Sequence, residues 1–182
     1  MSHSVNLQSL LEDLVLLEHF AYGSEEFCKS NGITSFEETG YMEPLSPRTL
    51  LRGVVCDKLI SVAIKTRIIL DHASVDKVGL SRIESQATIG LQLTAASSPL
   101  TVRESLNKII HALQVTIDFV VDEYEPSNTH YWDGRVLLEG AQNGKAWSYH
   151  LKISDWAKAV RRAMMQLIRE ERLGMLGWDG GL

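Results

Sequence analysis

TVRESLNKIIHALQVTIDFVV, residues Thr101 to Val121, changes its hydrophobic period partway along, and that change decides the fold. In the first half Val102, Leu106, Ile109, Ile110 and Leu113 make a narrow apolar stripe, the pattern of an amphipathic helix. Thr101 followed by Glu104 is a capping-box pair, which marks where that helix begins. Beyond it Val115, Ile117, Phe119 and Val121 alternate with Gln114, Thr116, Asp118 and Asp122, the period of a half-buried strand. One helix over 101–124 is the competing expectation, and the β-branched residues that dominate 115–121 weigh against it.

Downstream, a polar loop from Glu123 to His130 leads to an apolar run, Arg135 to Gly140, then Asn143-Gly144, then a second run from Lys145 to Ile153. Asn-Gly between two such runs signals a hairpin, because both residues tolerate positive φ. Three antiparallel strands in a meander are therefore predicted over about 114–153. Ser154 is positioned to cap a last helix from Asp155 to Arg172, with Trp156, Val160, Ala163, Met164, Leu167 and Ile168 facing inward. The tail, Gly174 to Leu182, holds four glycines and is expected to fray.

Upstream, Leu7, Leu10, Leu11, Leu14, Leu16 and Leu17 predict a helix from about Val5 to Lys29. Gly32, Gly40, Pro44 and Pro47 make 30–47 a loop, and Pro47 opens a second helix to about His72. Its broad apolar face, Leu50, Leu51, Val54, Val55, Leu59, Val62 and Ala63, predicts a mostly buried helix. Residues 73–98, with Gly79 and Gly90 and a Ser/Ala-rich end, read as a loop with room for one short helix. The fold class is thus mainly α, of the α+β kind. One domain is expected over 1–173, with the meander inserted before the C-terminal helix.

Bulk composition agrees with one folded domain: 182 residues, 45% apolar and 23% charged. The apolar runs are too short for a membrane span, and Glu12 and Asp13 inside the first of them argue against a signal peptide. A cytoplasmic protein without a membrane partner is expected. Cys28 and Cys56 lack metal-ligand spacing and read as buried reduced thiols. Net charge is −5, but residues 1–46 carry eight acids against Lys29, which leaves +2 for the remaining 136. The chain therefore has no overall basic footprint for nonspecific nucleic-acid binding, while a local basic patch stays open. No glycine-rich phosphate loop ending in Gly-Lys-Ser/Thr, Cys-x-x-Cys, His-Glu-x-x-His or Gly-x-Ser-x-Gly occurs, so common nucleotide hydrolases, zinc sites and serine hydrolases lose support. No metal and no cofactor is expected.

The residues that carry candidate chemistry lie in the opening stretch. Arg103, Asn107 and His111 fall four apart and line one ribbon of the predicted helix, beside its apolar stripe. Together they offer a cation for phosphate, an amide, and an imidazole able to move protons, which is what metal-free RNA transesterification needs. A solvated Arg103 and a merely helix-terminal His111 are the plainer alternative.

Asn107-Lys108-Ile109-Ile110-His111-Ala112 resembles the end of the motif of HEPN (higher eukaryotes and prokaryotes nucleotide-binding) domains, where arginine, four to six variable residues and histidine form the signature. That resemblance implies a HEPN-like helical bundle and a homodimer. It also implies either a metal-independent ribonuclease or a member that has lost the motif and serves as a binding or regulatory partner, in a bacterial-type defence or toxin–antitoxin setting. The chain departs from the pattern where the arginine belongs: five before His111 stands Leu106, and Arg103 is one turn early. His111 and Asn107 carry over by the resemblance, with His111 as acid/base, whereas Arg103 enters on physical grounds as a displaced phosphate ligand. The departure favours a non-catalytic interaction module, with an RNA or a protein as partner, over the ribonuclease.

A second match, Arg67 and His72, has the formal spacing of the same signature and supplies candidate binding residues. Five positions apart on one helix they diverge by about 140°, so Arg67 is expected to pair with Asp71 instead. Tyr131, Trp132, Trp147, Tyr149 and Trp156 gather in and beside the hairpin; they could stack on bases, but packing of the sheet on a helix is the simpler role. Lys158, Arg161, Arg162, Arg169 and Arg172 give the last helix a basic surface that could answer the acidic N-terminal segment.

Overall fold

The capping box at Thr101 forms as its residue types dictate. Glu104 N–H donates to Thr101 Oγ1 at 3.2 Å, and Thr101 N–H donates back to Glu104 Oε2 at 2.9 Å. The computed structural model describes residues 5–30, 47–73, 90–92, 100–121 and 130–169. In chain order these form α1 (Leu7–Ser30), α2 (Pro47–His72), β1 (Gly90–Gln92), α3 (Val102–Ile110), β2 (Gln114–Val121), β3 (His130–Gln142), β4 (Lys145–Lys152) and α4 (Ile153–Arg169). The fold is mixed α+β with helices in the majority. The frayed tail predicted at 174–182 and most of the loops at 30–47 and 123–130 lie outside the described residues.

The sheet is antiparallel throughout, in the order β1-β4-β3-β2. Its last three strands are the predicted meander. Asn143 at φ 52° and Gly144 at φ 75° turn β3 into β4, both central residues positive as a tight hairpin requires. The fourth strand lies within the stretch 73–98 expected as a loop with room for one short helix, most of which is outside the described residues. Gly90–Gln92 pairs with Tyr149–Leu151, and three residues are too few to display the alternation by which a strand is read.

Even positions of β3 and odd positions of β4 share the buried face, so that Val136 opposes Leu151, Leu138 opposes Tyr149 and Gly140 opposes Trp147. α1 lies on β3 and also touches α2 and α4, while α2 packs on α1 and α3. The core draws Leu10, Leu14 and Leu17 from α1, Leu59 and Val62 from α2, Leu106 from α3, and Trp156, Val160 and Met164 from α4. Two hydrogen bonds pin the layers: Trp132 N–H to Ser24 Oγ at 3.0 Å, and Trp156 Nε1–H to Ser105 Oγ at 2.9 Å. Where the β2–β3 register shifts between Ile117 and Phe119, Gly134 takes φ +81°, and a Cβ there would come within 3.3 Å of Ala21. The bulge thus lets the β3 backbone settle directly on α1.

Three sequence expectations shift. Leu113 is 81% exposed, because α3 ends at Ile110 and Leu113 already leads into the sheet, its N–H donating to Glu139 O at 2.8 Å. α4 starts at Ile153, straight out of β4, so Ser154 is a buried first-turn residue instead of a cap. α2 is less buried than its apolar count suggests: Leu50 is 51% and Val54 40% exposed, whereas Val55, Leu59, Val62, Ala63 and Thr66 are buried where the helix packs on α1 and α3. Helix charges pair as composition suggests, with Arg161 on Glu18 at 3.0 Å and Lys158 on the Tyr22 hydroxyl. Among the described residues no helix is long and apolar enough to cross a membrane.

Candidate functional site

The capped helix presents two opposite faces. Val102, Ser105, Leu106 and Ile109 are buried, whereas Glu104, Asn107, Lys108 and His111 line an open cleft of about 930 Å³. Offsets of three, four and seven from Glu104 gather those four within about 100° of arc. α2 contributes Arg67 to the cleft, and the hairpin contributes Ala141, Gln142, Trp147 and Tyr149.

Of the predicted ribbon, Asn107 and His111 open into this cleft and Arg103 does not. Residues four apart drift by about 40° per step, so Arg103 stands at the flank of the polar face. There its guanidinium bonds Asp71 Oδ1 on α2 at 2.7 Å. Among the described residues the guanidinium in the cleft is that of Arg67. Its Nε donates to Asp71 Oδ2 at 2.8 Å, the predicted helix pair, and a terminal nitrogen donates to Asn107 Oδ1 at 2.6 Å. Arg67 therefore joins α2 to the polar face of α3, and Asp71 is shared between two arginines. Burial works to raise the Asp71 pKa, but the hydrogen bonds and charges of Arg103 and Arg67 outweigh it and hold the carboxyl below the usual carboxylate range. His72 lies apart, exposed, its Nδ1 2.8 Å from Ile68 O on its own helix.

His111 is the C-cap of α3, exposed at the cleft, with its backbone N–H on Asn107 O at 3.0 Å. Glu104 also faces the cleft, but its Oε2 accepts from both the Thr101 backbone and the Thr101 hydroxyl at 2.9 Å. That carboxylate is occupied in fixing the start of α3.

Lys108, to which the sequence pattern gives no role, meets Trp147 and Tyr149, for which it favours sheet packing over base stacking. Lys108 Nζ lies 4.3 Å from the Trp147 ring centroid and 5.4 Å from that of Tyr149. The two rings are 5.9 Å apart and tilted at 52°. Loss of hydration pushes the Lys108 ammonium below its ordinary pKa, and the Glu104 carboxylate only partly opposes that. Among the described residues Lys108 forms no ion pair. The local signal is the spacing of Glu104, Lys108 and His111, which puts Lys108 on the same face as the histidine; its aromatic partners come from nearly forty residues further on.

Trp132 and Trp156 pack in the core, almost wholly buried, and Tyr131 is half-buried on β3. Cys28 is buried and Cys56 half-buried, and burial pushes both thiols up. No protein-family model, no curated protein and no solved structure matches the chain.

Proposed function

We propose that the protein is a non-catalytic, HEPN-like binding module whose cleft takes a phosphate-bearing ligand of the RNA class and leaves it intact. The observation that carries this is the convergence of the Arg67 guanidinium, the Lys108 ammonium and the exposed His111 on one cleft of about 930 Å³, backed by two aromatic rings. Guanidinium and ammonium groups favour phosphate, and a cleft of this size accommodates a nucleotide. Binding without cleavage follows from the same residues. Transesterification needs one group to take a proton and another to give one, and among the described lining residues His111 is the single imidazole while Glu104 is engaged in the capping box. Arg103, held by Asp71 outside the lining, adds no further cation there. A cytoplasmic homodimer in a defence or toxin–antitoxin setting belongs to this proposal through the HEPN resemblance.

The test is a titration of a fluorescein-labelled single-stranded RNA ten-mer, read by anisotropy and followed by a denaturing gel. Wild type binds with an affinity that falls as salt rises. Arg67→Met and Lys108→Gln each weaken binding about tenfold, the equivalent of about 1.4 kcal/mol, and the RNA stays full length after overnight incubation. Cleavage that disappears in His111→Ala would establish the ribonuclease instead. Equal affinity of wild type and both cation variants would remove the cleft from the account.

A further inference from the structure

Trp147 packs across the strand pair onto a glycine. Its cross-strand partner is Gly140, and a Cβ on Gly140 would lie 2.2 Å from Cζ2 and 2.6 Å from Cε2 of the indole. One side of the ring therefore rests directly on β3 backbone, in space only glycine leaves open. The Lys108 ammonium lies over the ring, 4.3 Å from the centroid, with the Tyr149 ring adjoining. The indole, 7% exposed, thus borders the cleft at an edge where Lys108 lies over the ring.

Resting on the reading of the cleft as a phosphate site, we propose that Trp147 is a base-stacking platform, covered by Lys108 in the free protein and by a nucleobase in the complex. Three features carry the exchange. Stacking of a base on an indole is of the same order as a cation–π contact, so the ring loses little when one replaces the other. Lys108 is a poorly hydrated ammonium without an ion pair among the described residues, and a phosphate gives it a charge-assisted partner that the ring does not. Arg67, Asn107 and His111 share the lining with Trp147, so phosphate and base occupy neighbouring parts of one cavity. Glu104, the carboxylate of the lining, is tied to Thr101.

Calorimetric titrations with AMP and with ribose 5-phosphate test this, because the two probes share phosphate and sugar and differ in the base. Wild type is expected to bind AMP about tenfold more tightly than ribose 5-phosphate. Trp147→Leu brings that ratio to within about twofold; should this variant fail to fold, Trp147→Phe lowers the ratio to about threefold, since a smaller ring stacks less. Lys108→Ala weakens both probes alike and preserves the ratio, because the platform is then uncovered. Equal binding of the two probes by wild type, or a ratio unchanged in the Trp147 variant, overturns the stacking role while leaving the phosphate site standing. Failure of both probes to bind wild type overturns the phosphate site and the platform together.

Discussion

Asp13→Asn is expected to destabilise the fold by about 2–3 kcal/mol, near the lower end of what breaking a buried charge pair costs. Asp13 is 5% exposed on the buried face of α1, in line with Leu10, Leu14 and Leu17. Lys58 reaches its Oδ1 at 2.7 Å and Lys65 its Oδ2 at 2.9 Å, two lysines seven residues apart and so on one face of α2. The amide keeps the shape but removes the charge between two ammonium groups. The lysine side chains are 30% and 27% exposed, so water relieves part of that loss, which sets the estimate below the value for a dry triad. In a domain of this size the change corresponds to a melting temperature lowered by about 5–10 °C.

The same carboxylate gives stability a pH dependence of fixed sign. Burial works to raise the Asp13 pKa, but the hydrogen bonds and charges of Lys58 and Lys65 outweigh it, and the carboxyl stays below the ordinary range. A group whose folded pKa is depressed stabilises fully above its unfolded value, about 3.9, and loses that contribution as pH falls through the folded value. Asp71 between Arg67 and Arg103 acts with the same sign. Urea midpoints measured from pH 7 to pH 3 are expected to hold in wild type down to about pH 4.5 and then fall. In Asp13→Asn the fall is shallower from a lower starting point. Identical acid slopes for the two proteins would contradict the assignment.

Gly140→Ala is the second large effect, expected at about 2–3 kcal/mol, the range of an over-packed core position. Its new methyl group overlaps three ring atoms of Trp147, at 2.2, 2.6 and 2.8 Å. To relieve the overlap the indole must shift off β3, which disturbs its place beside Lys108 in the cleft. The substitution is therefore expected to lower the urea midpoint and to weaken RNA-oligonucleotide binding together. Trp147→Leu in the same background should restore most of the stability and none of the binding. A stability unchanged by Gly140→Ala would mean that the indole does not rest on β3.

How much of this is legible in sequence depends on whether the signal is local. The passage from helix to strand near residue 114 is plain, because the apolar period drops from 3.6 to 2 and the cap at Thr101 fixes the phase. The Asn143-Gly144 turn is equally local. β1 is not, being three residues long and recognisable only through its pairing with β4. The site divides in the same way. Asn107 and His111 follow from helical spacing, but counting in steps of four from Arg103 overshoots the polar face, and Arg67 fills the place from forty residues away. Asp13 looks like one more acid of the N-terminal segment until α2 brings Lys58 and Lys65 against it. Charge balance along the chain carries no record of which carboxylate is buried.

The most direct test of the cleft is amide and indole chemical-shift mapping by NMR during titration with a short single-stranded RNA. The account predicts shifts concentrated at Asn107, Lys108, His111 and Gln142 and at the Trp147 indole N–H, with the RNA resonances of the intact strand persisting throughout. Shifts concentrated instead on the basic face of α4, around Lys158, Arg161 and Arg162, or the appearance of cleaved RNA, would contradict it.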